Sequence, residues 1–108
     1  MLEIQLENNL PNQKFTFKTA DKTLELELRT TSDNITLLSV SYNGNYIAQS
    51  IKVAPNCLIL CYDYLQQEYG DFIFTTDDGE YPYYENFNGS NKLYWLNYEE
   101  VKEYKNGK

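Results

Sequence analysis

Apolar and polar residues alternate from the start of the chain, where Leu2, Ile4 and Leu6 are interleaved with Glu3, Gln5 and Glu7. A period of two puts each set on its own face of a strand, so this segment is predicted as a strand with one buried side. The run from Asn8 to Asn12, with Pro11, ends it. Alternation returns at Phe15 and Phe17 among Lys14, Thr16 and Lys18, and again at Leu24, Leu26 and Leu28 among Glu25, Glu27 and Arg29. The polar turn Thr19-Ala20-Asp21-Lys22 between the two runs makes them an antiparallel hairpin. On its outer face Lys14 and Lys18 would oppose Glu25 and Glu27, a small contribution that favours this register.

A third β-rich run, Ile35 to Tyr42, ends at Asn43-Gly44, the dipeptide that accepts positive φ at both central positions of a type I′ turn. That loop would pair Tyr42 with Asn45, Val40 with Ile47 and Leu38 with Gln49. After Pro55-Asn56, the unbroken apolar run Cys57 to Cys61 reads as a strand covered on both faces, with a short buried helix as the other reading. Asp63 to Glu68 is ambiguous and fits one helical turn. Gly70 leads into a short strand around Phe72-Ile73-Phe74-Thr75, closed by turn chemistry at Asp77-Asp78-Gly79-Glu80. The stretch from Tyr81 to Gly89 has Pro, Gly and four aromatics without a period, and is expected to be an ordered loop held by its rings. Leu93 to Leu96 forms a last strand. Beyond it, Glu99 with Lys102 and Val101 with Tyr104 have helical spacing.

About seven short strands, frequent turns and no helix long enough for a parallel crossover define an all-β chain, a small sandwich or barrel of mostly antiparallel strands. Short helical turns are expected near 63–68 and 98–104. Residues 1–97 would form one β domain, and 98–108 a short C-terminal helix or frayed tail. A length of 108 residues suits one core and not two.

Composition sharpens this picture. Apolar residues at 42% and charged residues at 23% are ordinary for a folded domain, whereas eleven tyrosines and a wealth of asparagine are not. The net charge of −7, with sixteen acidic residues against nine basic ones, repels phosphate and argues against nucleic acid or anionic membrane as a partner. The longest apolar run is far short of a bilayer span and the N-terminus has no signal-type apolar core, so a soluble protein without a signal peptide is expected. Cys57 and Cys61, four apart in a strand, would be about 13 Å from one another, too far for a disulfide, and are expected as reduced thiols.

Candidate chemistry is sparse. Histidine is absent, which removes the commonest general base and metal ligand together. Cys57 and Cys61 lack the paired spacing of a zinc site. Asp77 to Glu80 lacks the alternating ligands of a calcium loop and reads as a solvated turn. A carboxylate pair for sugar hydrolysis could be drawn from Asp77, Asp78, Glu80 and Glu85, as an acidic chain allows by chance. Asn34-Ile35-Thr36 and Asn88-Gly89-Ser90 match the glycosylation triplet, a chance product of an Asn-rich sequence. No catalytic, cofactor-binding or metal-binding residue is assigned.

Three elements in order, Leu2-x-Ile4-x-Leu6, then Asn12-Gln13-x-Phe15-x-Phe17, then Leu24-Glu25-Leu26-Glu27-Leu28-Arg29, resemble the opening of the cyanophage-type baseplate plug family of contractile-tailed phages. The turn at Asn43-Gly44, the apolar segment after Pro55, Gly70 before Phe72-Ile73-Phe74, Asp77-Asp78 and the closing Leu93-Tyr94-Trp95-Leu96 continue the resemblance, over roughly residues 2 to 96. The Tyr-rich loop from Tyr81 to Phe87 and the tail after Tyr98 depart from it. The resemblance implies a non-enzymatic part of a phage or prophage tail baseplate that associates with the central hub and other baseplate proteins, in several copies, without cofactor. Homo-oligomers through an edge strand are compatible with the fold. Large rings at low entropic cost suit such assembly, and Tyr83, Tyr84, Phe87 and Tyr94 are the expected interface residues. The competing reading is a small carbohydrate- or surface-binding β module.

Overall fold

The alternating segments form two antiparallel sheets packed face to face. A computed structural model of the protein describes residues 1–19 and 21–107; Ala20, in the first predicted turn, and Lys108, at the end of the tail, lie outside the described residues. The strands are β1 (Leu2–Ile4), β2 (Gln13–Lys18), β3 (Thr23–Thr30), β4 (Thr36–Tyr42), β5 (Asn45–Lys52), β6 (Asp71–Thr75) and β7 (Lys92–Leu96). Helix α1 (Asp63–Tyr69) precedes β6, and α2 (Tyr98–Asn106) follows β7. One sheet runs β2-β3-β4-β5 in chain order, and the other runs β1-β7-β6. The sheets do not close on one another, so the architecture is a sandwich.

The β2–β3 hairpin keeps the predicted alternation. Phe15 pairs with Leu26 and Phe17 with Leu24, and Leu24, Leu26 and Leu28 are fully buried. Outside, Lys14 lies opposite Glu27 and its ammonium reaches Glu25 diagonally at 3.9 Å. Lys18 instead faces Thr23, so only the Lys14 half of the expected charge pairing is present.

At the β4–β5 turn Asn43 and Gly44 have φ of 53° and 82°, and Tyr42 pairs with Asn45 as predicted. Farther from the turn the predicted register fails: Val40 pairs with Ala48 and Leu38 with Ile51. One extra residue enters β5 at each of two bulges, and Ser39 Oγ accepts the Ser50 N–H at 2.8 Å where Ser50 turns to a φ of 51°. Turn chemistry determines the first two pairs, Tyr42 with Asn45 and Ser41 with Tyr46, and each bulge then adds a residue to one strand.

Leu24, Leu26, Leu28, Leu38 and Val40 of the larger sheet meet Ile4, Phe72, Phe74, Leu93 and Trp95 of the smaller one in the main core. Phe17 bridges the sheets, its ring edge-on to Phe72 at 6.4 Å and tilted to Trp95 at 5.8 Å. The outer face of the smaller sheet is also covered, because Ile73 and Leu96 pack with Val101 of α2. That helix begins with a capping box: Asn97 Oδ1 accepts the Glu100 N–H at 2.9 Å and Glu100 Oε1 accepts the Asn97 N–H at 3.0 Å. Gly70 has a φ of 77° where a Cβ would strike Leu96 O, and this close approach lets Trp95 Nε1 donate to Tyr69 O at 2.9 Å.

The apolar run Cys57 to Cys61 is neither the predicted strand nor a helix. Leu58 makes one isolated bridge to Ile73 and Ile59 N–H donates to Phe72 O at 3.0 Å, after which the chain curls away, with Cys61 at a φ of 70°. Ile59 and Leu60 are buried while Cys57 and Cys61 are exposed free thiols, so the extended spacing expected of the cysteines does not apply. The curl follows from one acceptor, the Asp71 carboxylate, which gathers successive N–H groups from this segment.

Candidate interaction surface

Asp71 opens β6 and is wholly buried. Its Oδ1 accepts from the backbone N–H groups of Ile59 (3.1 Å), Leu60 (2.7 Å) and Phe72 (2.6 Å). Its Oδ2 accepts from Cys61 N–H at 3.2 Å and Gln66 Nε2 at 2.7 Å. A buried carboxylate is tolerated only when its oxygens are so satisfied. Gln66, itself fully buried, turns its Oε1 outward to accept from Lys105 Nζ at 2.6 Å. This chain of contacts ties the curled segment to α1 and α2.

The curl leaves a hollow of about 370 Å³ lined by Cys57, Leu58, Cys61, Gln66, Tyr104 and Lys105. Burial, then the charge of Asp71, pushes the Cys61 thiol above its ordinary value, so it remains protonated at neutral pH and is not an activated nucleophile. Directly after Cys61, the Tyr62 and Tyr64 side chains stand in solvent with ring centroids 6.0 Å apart. Leu65, Gln66 and Tyr69 take the inner side of α1, which leaves Tyr64 outside, while Tyr62 stands before the helix in extended backbone with φ −90° and ψ 129°.

The four residues expected at an interface are distributed differently. Tyr83 and Tyr84 touch, with centroids 4.7 Å apart, and both are half-buried. The Tyr83 phenol is held above its ordinary value, first by hydrogen bonding with Tyr84. Phe87 is a core residue, 5% exposed and stacked on Phe74 at 5.5 Å, so it has little free surface in the isolated chain. Tyr94 lies half-buried against the Ile73–Leu96–Val101 cluster under α2. Sequence reasoning passed over Tyr62 and Tyr64, of which only Tyr64 is set apart by the helical spacing of Leu65, Gln66 and Tyr69. It also passed over Asp71, for which the signal is an aspartate entering an apolar strand.

The Tyr81–Gly89 loop is held by asparagines as much as by rings. Asn88 Oδ1 accepts from Leu6 N–H at 3.2 Å and its Nδ2 donates to Leu6 O, while Asn91 Oδ1 accepts from Tyr83 N–H at 2.8 Å. Five asparagines (9, 34, 43, 56 and 88) take positive φ, which gives the Asn-rich composition a backbone explanation. Asp77 to Gly79 forms a single 3₁₀ turn, and Glu80 accepts from Ser90 Oγ at 3.2 Å. Among the described residues no group of three or more His, Cys, Asp or Glu side chains could hold a metal ion.

The ordered elements of both sheets lie within the reach of one family, described as cyanophage baseplate Pam3 plug gp18, which matches residues 1–99. The chain belongs to this plug family. The match takes in every strand, both layers of the main core and α1, and ends just inside α2. Val101, Tyr104 and Lys105 lie past the matched residues. No curated protein matches the chain. No helix among the described residues is long and apolar enough to cross a membrane.

Proposed function

We propose that this chain is a non-enzymatic structural component of a contractile phage or prophage tail baseplate, a plug that associates with the central hub in several copies. The observation that carries the reading is membership of the plug family over residues 1–99. The physical form supports it. Two sheets with a shared core form a rigid body that loses little backbone entropy on assembly, and exposed tyrosines supply contact area at low side-chain cost. The titratable groups described above are engaged in structure, as Asp71 and Glu80 are, which favours a scaffold over a reaction centre. Residues 1–97 with the helix that follows act as a single unit in this role.

The test is co-assembly. The tagged chain, expressed with the baseplate proteins encoded beside it, is expected to copurify with the hub and to sediment with assembled baseplates. A chain that stays in the free fraction while baseplates assemble normally without it would refute the proposal.

A further inference from the structure

The hollow beside α1 joins an apolar wall to a cation. Leu58, the two cysteines and the Tyr104 ring supply carbon and sulfur, and Lys105 supplies the charge. In a chain of net charge −7, Lys14, Lys22 and Lys102 each meet a carboxylate, whereas the partner of Lys105 is the neutral Gln66 amide. Asp63 of α1, which feels the field of Lys105, already accepts from Gln67 Nε2 at 2.6 Å and Tyr98 Oη at 2.9 Å. Among the described residues Lys105 makes no ion pair within 4 Å, and a cation beside an apolar hollow is complementary to an apolar side chain with a carboxylate next to it. The hollow, of about 370 Å³, is open to solvent and has room for a side chain laid against its apolar wall. Tyr62 and Tyr64, at 63% and 69% exposure the most exposed tyrosines among the described residues, stand at the same corner. Tyrosine is the residue type that anchors protein contacts. A second copy of this chain is a poor occupant, since it would bring a net charge of −7 against another −7.

We infer that this corner docks the plug on a baseplate protein: a segment of that protein places an apolar side chain in the hollow and a carboxylate on Lys105, with Tyr62 and Tyr64 packing against it. The inference rests on the baseplate reading and adds the surface and the partner's chemistry.

The cysteines make the test possible without a label, because Cys57 and Cys61 are the only two in the chain and both are exposed. N-ethylmaleimide labelling, read by mass spectrometry, is compared for the free chain and for its complex with the hub protein of the same tail gene cluster. Labelling of Cys57 is expected to slow at least tenfold in the complex. The double substitution Tyr62→Ala with Tyr64→Ala is expected to weaken hub binding at least tenfold, and Lys105→Glu at least fivefold, with Lys105→Arg within twofold of wild type. Tyr46→Ala, an exposed tyrosine on the larger sheet, is expected to change nothing. Unchanged thermal melts verify that these surface variants are folded. If no complex forms, the baseplate reading fails and the docking site with it. If the complex forms but Cys57 labels at the free rate and the double variant binds like wild type, the docking site alone is overturned. Protection that arises in the concentrated free chain, by self-association, would make the occupant a second copy and overturn it as well.

Discussion

In the β2–β3–β4 meander, order is carried by repetition: each pair of residues makes the same backbone contacts, and Leu24, Leu26, Leu28, Leu38 and Val40 share the burial among them. From Asn56 to Asp71, order is carried by one side chain, and three consecutive N–H groups converge on the Asp71 carboxylate. Both regions bury apolar residues, Ile59 and Leu60 in the second case. The difference lies in how a defect spreads. A meander that loses one leucine keeps its hydrogen-bond ladder, whereas the curl that loses its acceptor leaves several buried donors without partners, each costing more than an ordinary hydrogen bond contributes.

The largest expected effect tests the centralised region. Asp71→Ala should destabilise the protein by about 4 kcal/mol in urea unfolding, because it strands the N–H groups of Leu60 and Cys61 together with the Gln66 amide, while Ile59 N–H keeps Phe72 O. Hydrogen exchange should show local loss of protection at those amides. Leu26→Ala, at the fully buried centre of the meander, should cost about 3 kcal/mol with exchange raised over the whole fold. If Asp71→Ala proved the milder of the two, the curl would be held by its buried leucine and isoleucine and the contrast would collapse.

Smaller effects separate local devices from both. Gly44→Ala should cost about 1 kcal/mol by thermal melting, purely from backbone strain at a φ of 82°, since no atom lies within 4 Å of the added Cβ. At the start of α2, the Met1 ammonium first and the Asn97 N–H second hold the Glu100 carboxyl below its ordinary 4.5. A lowered carboxylate stabilises the fold above that value, and the contribution is lost as pH falls through the folded value. The melting-temperature gap between wild type and Glu100→Gln should therefore be present at pH 6 and close below pH 4.5, and at this solvent-screened site it should correspond to no more than about 1 kcal/mol. A gap that stayed open in acid would assign the effect to packing.

Which rings stay exposed was less legible than the fold. Tyr83, Tyr84, Phe87 and Tyr94 stood out by aromatic density, yet density does not distinguish a ring that packs inward, as Phe87 does on Phe74, from one left in solvent. Helical phase turns Tyr64 away from the core, in a helix too short for its period to be read from seven residues, whereas Tyr62 has the spacing of the inner face and is exposed because it stands before the first turn in extended backbone. The hollow beside them exists because the cysteine run curls, and that curl depends on a carboxylate ten to twelve residues away.

The sequence alone determined which side of β2 and β3 is buried, the type I′ turn at Asn43-Gly44 and the helical phase of α2, since these depend on neighbours two to four positions apart, whereas Leu2 of β1, expected on a buried face, is 53% exposed. Tertiary structure decided that β1 pairs with β7, Leu2 beside Trp95, that β5 carries two bulges, and that an apolar run which reads as a strand instead curls around Asp71. The physical reason is the same in each case. Alternation and turn chemistry act along the chain, whereas the choice of a pairing partner or a buried acceptor belongs to groups that meet only after the sheets have packed.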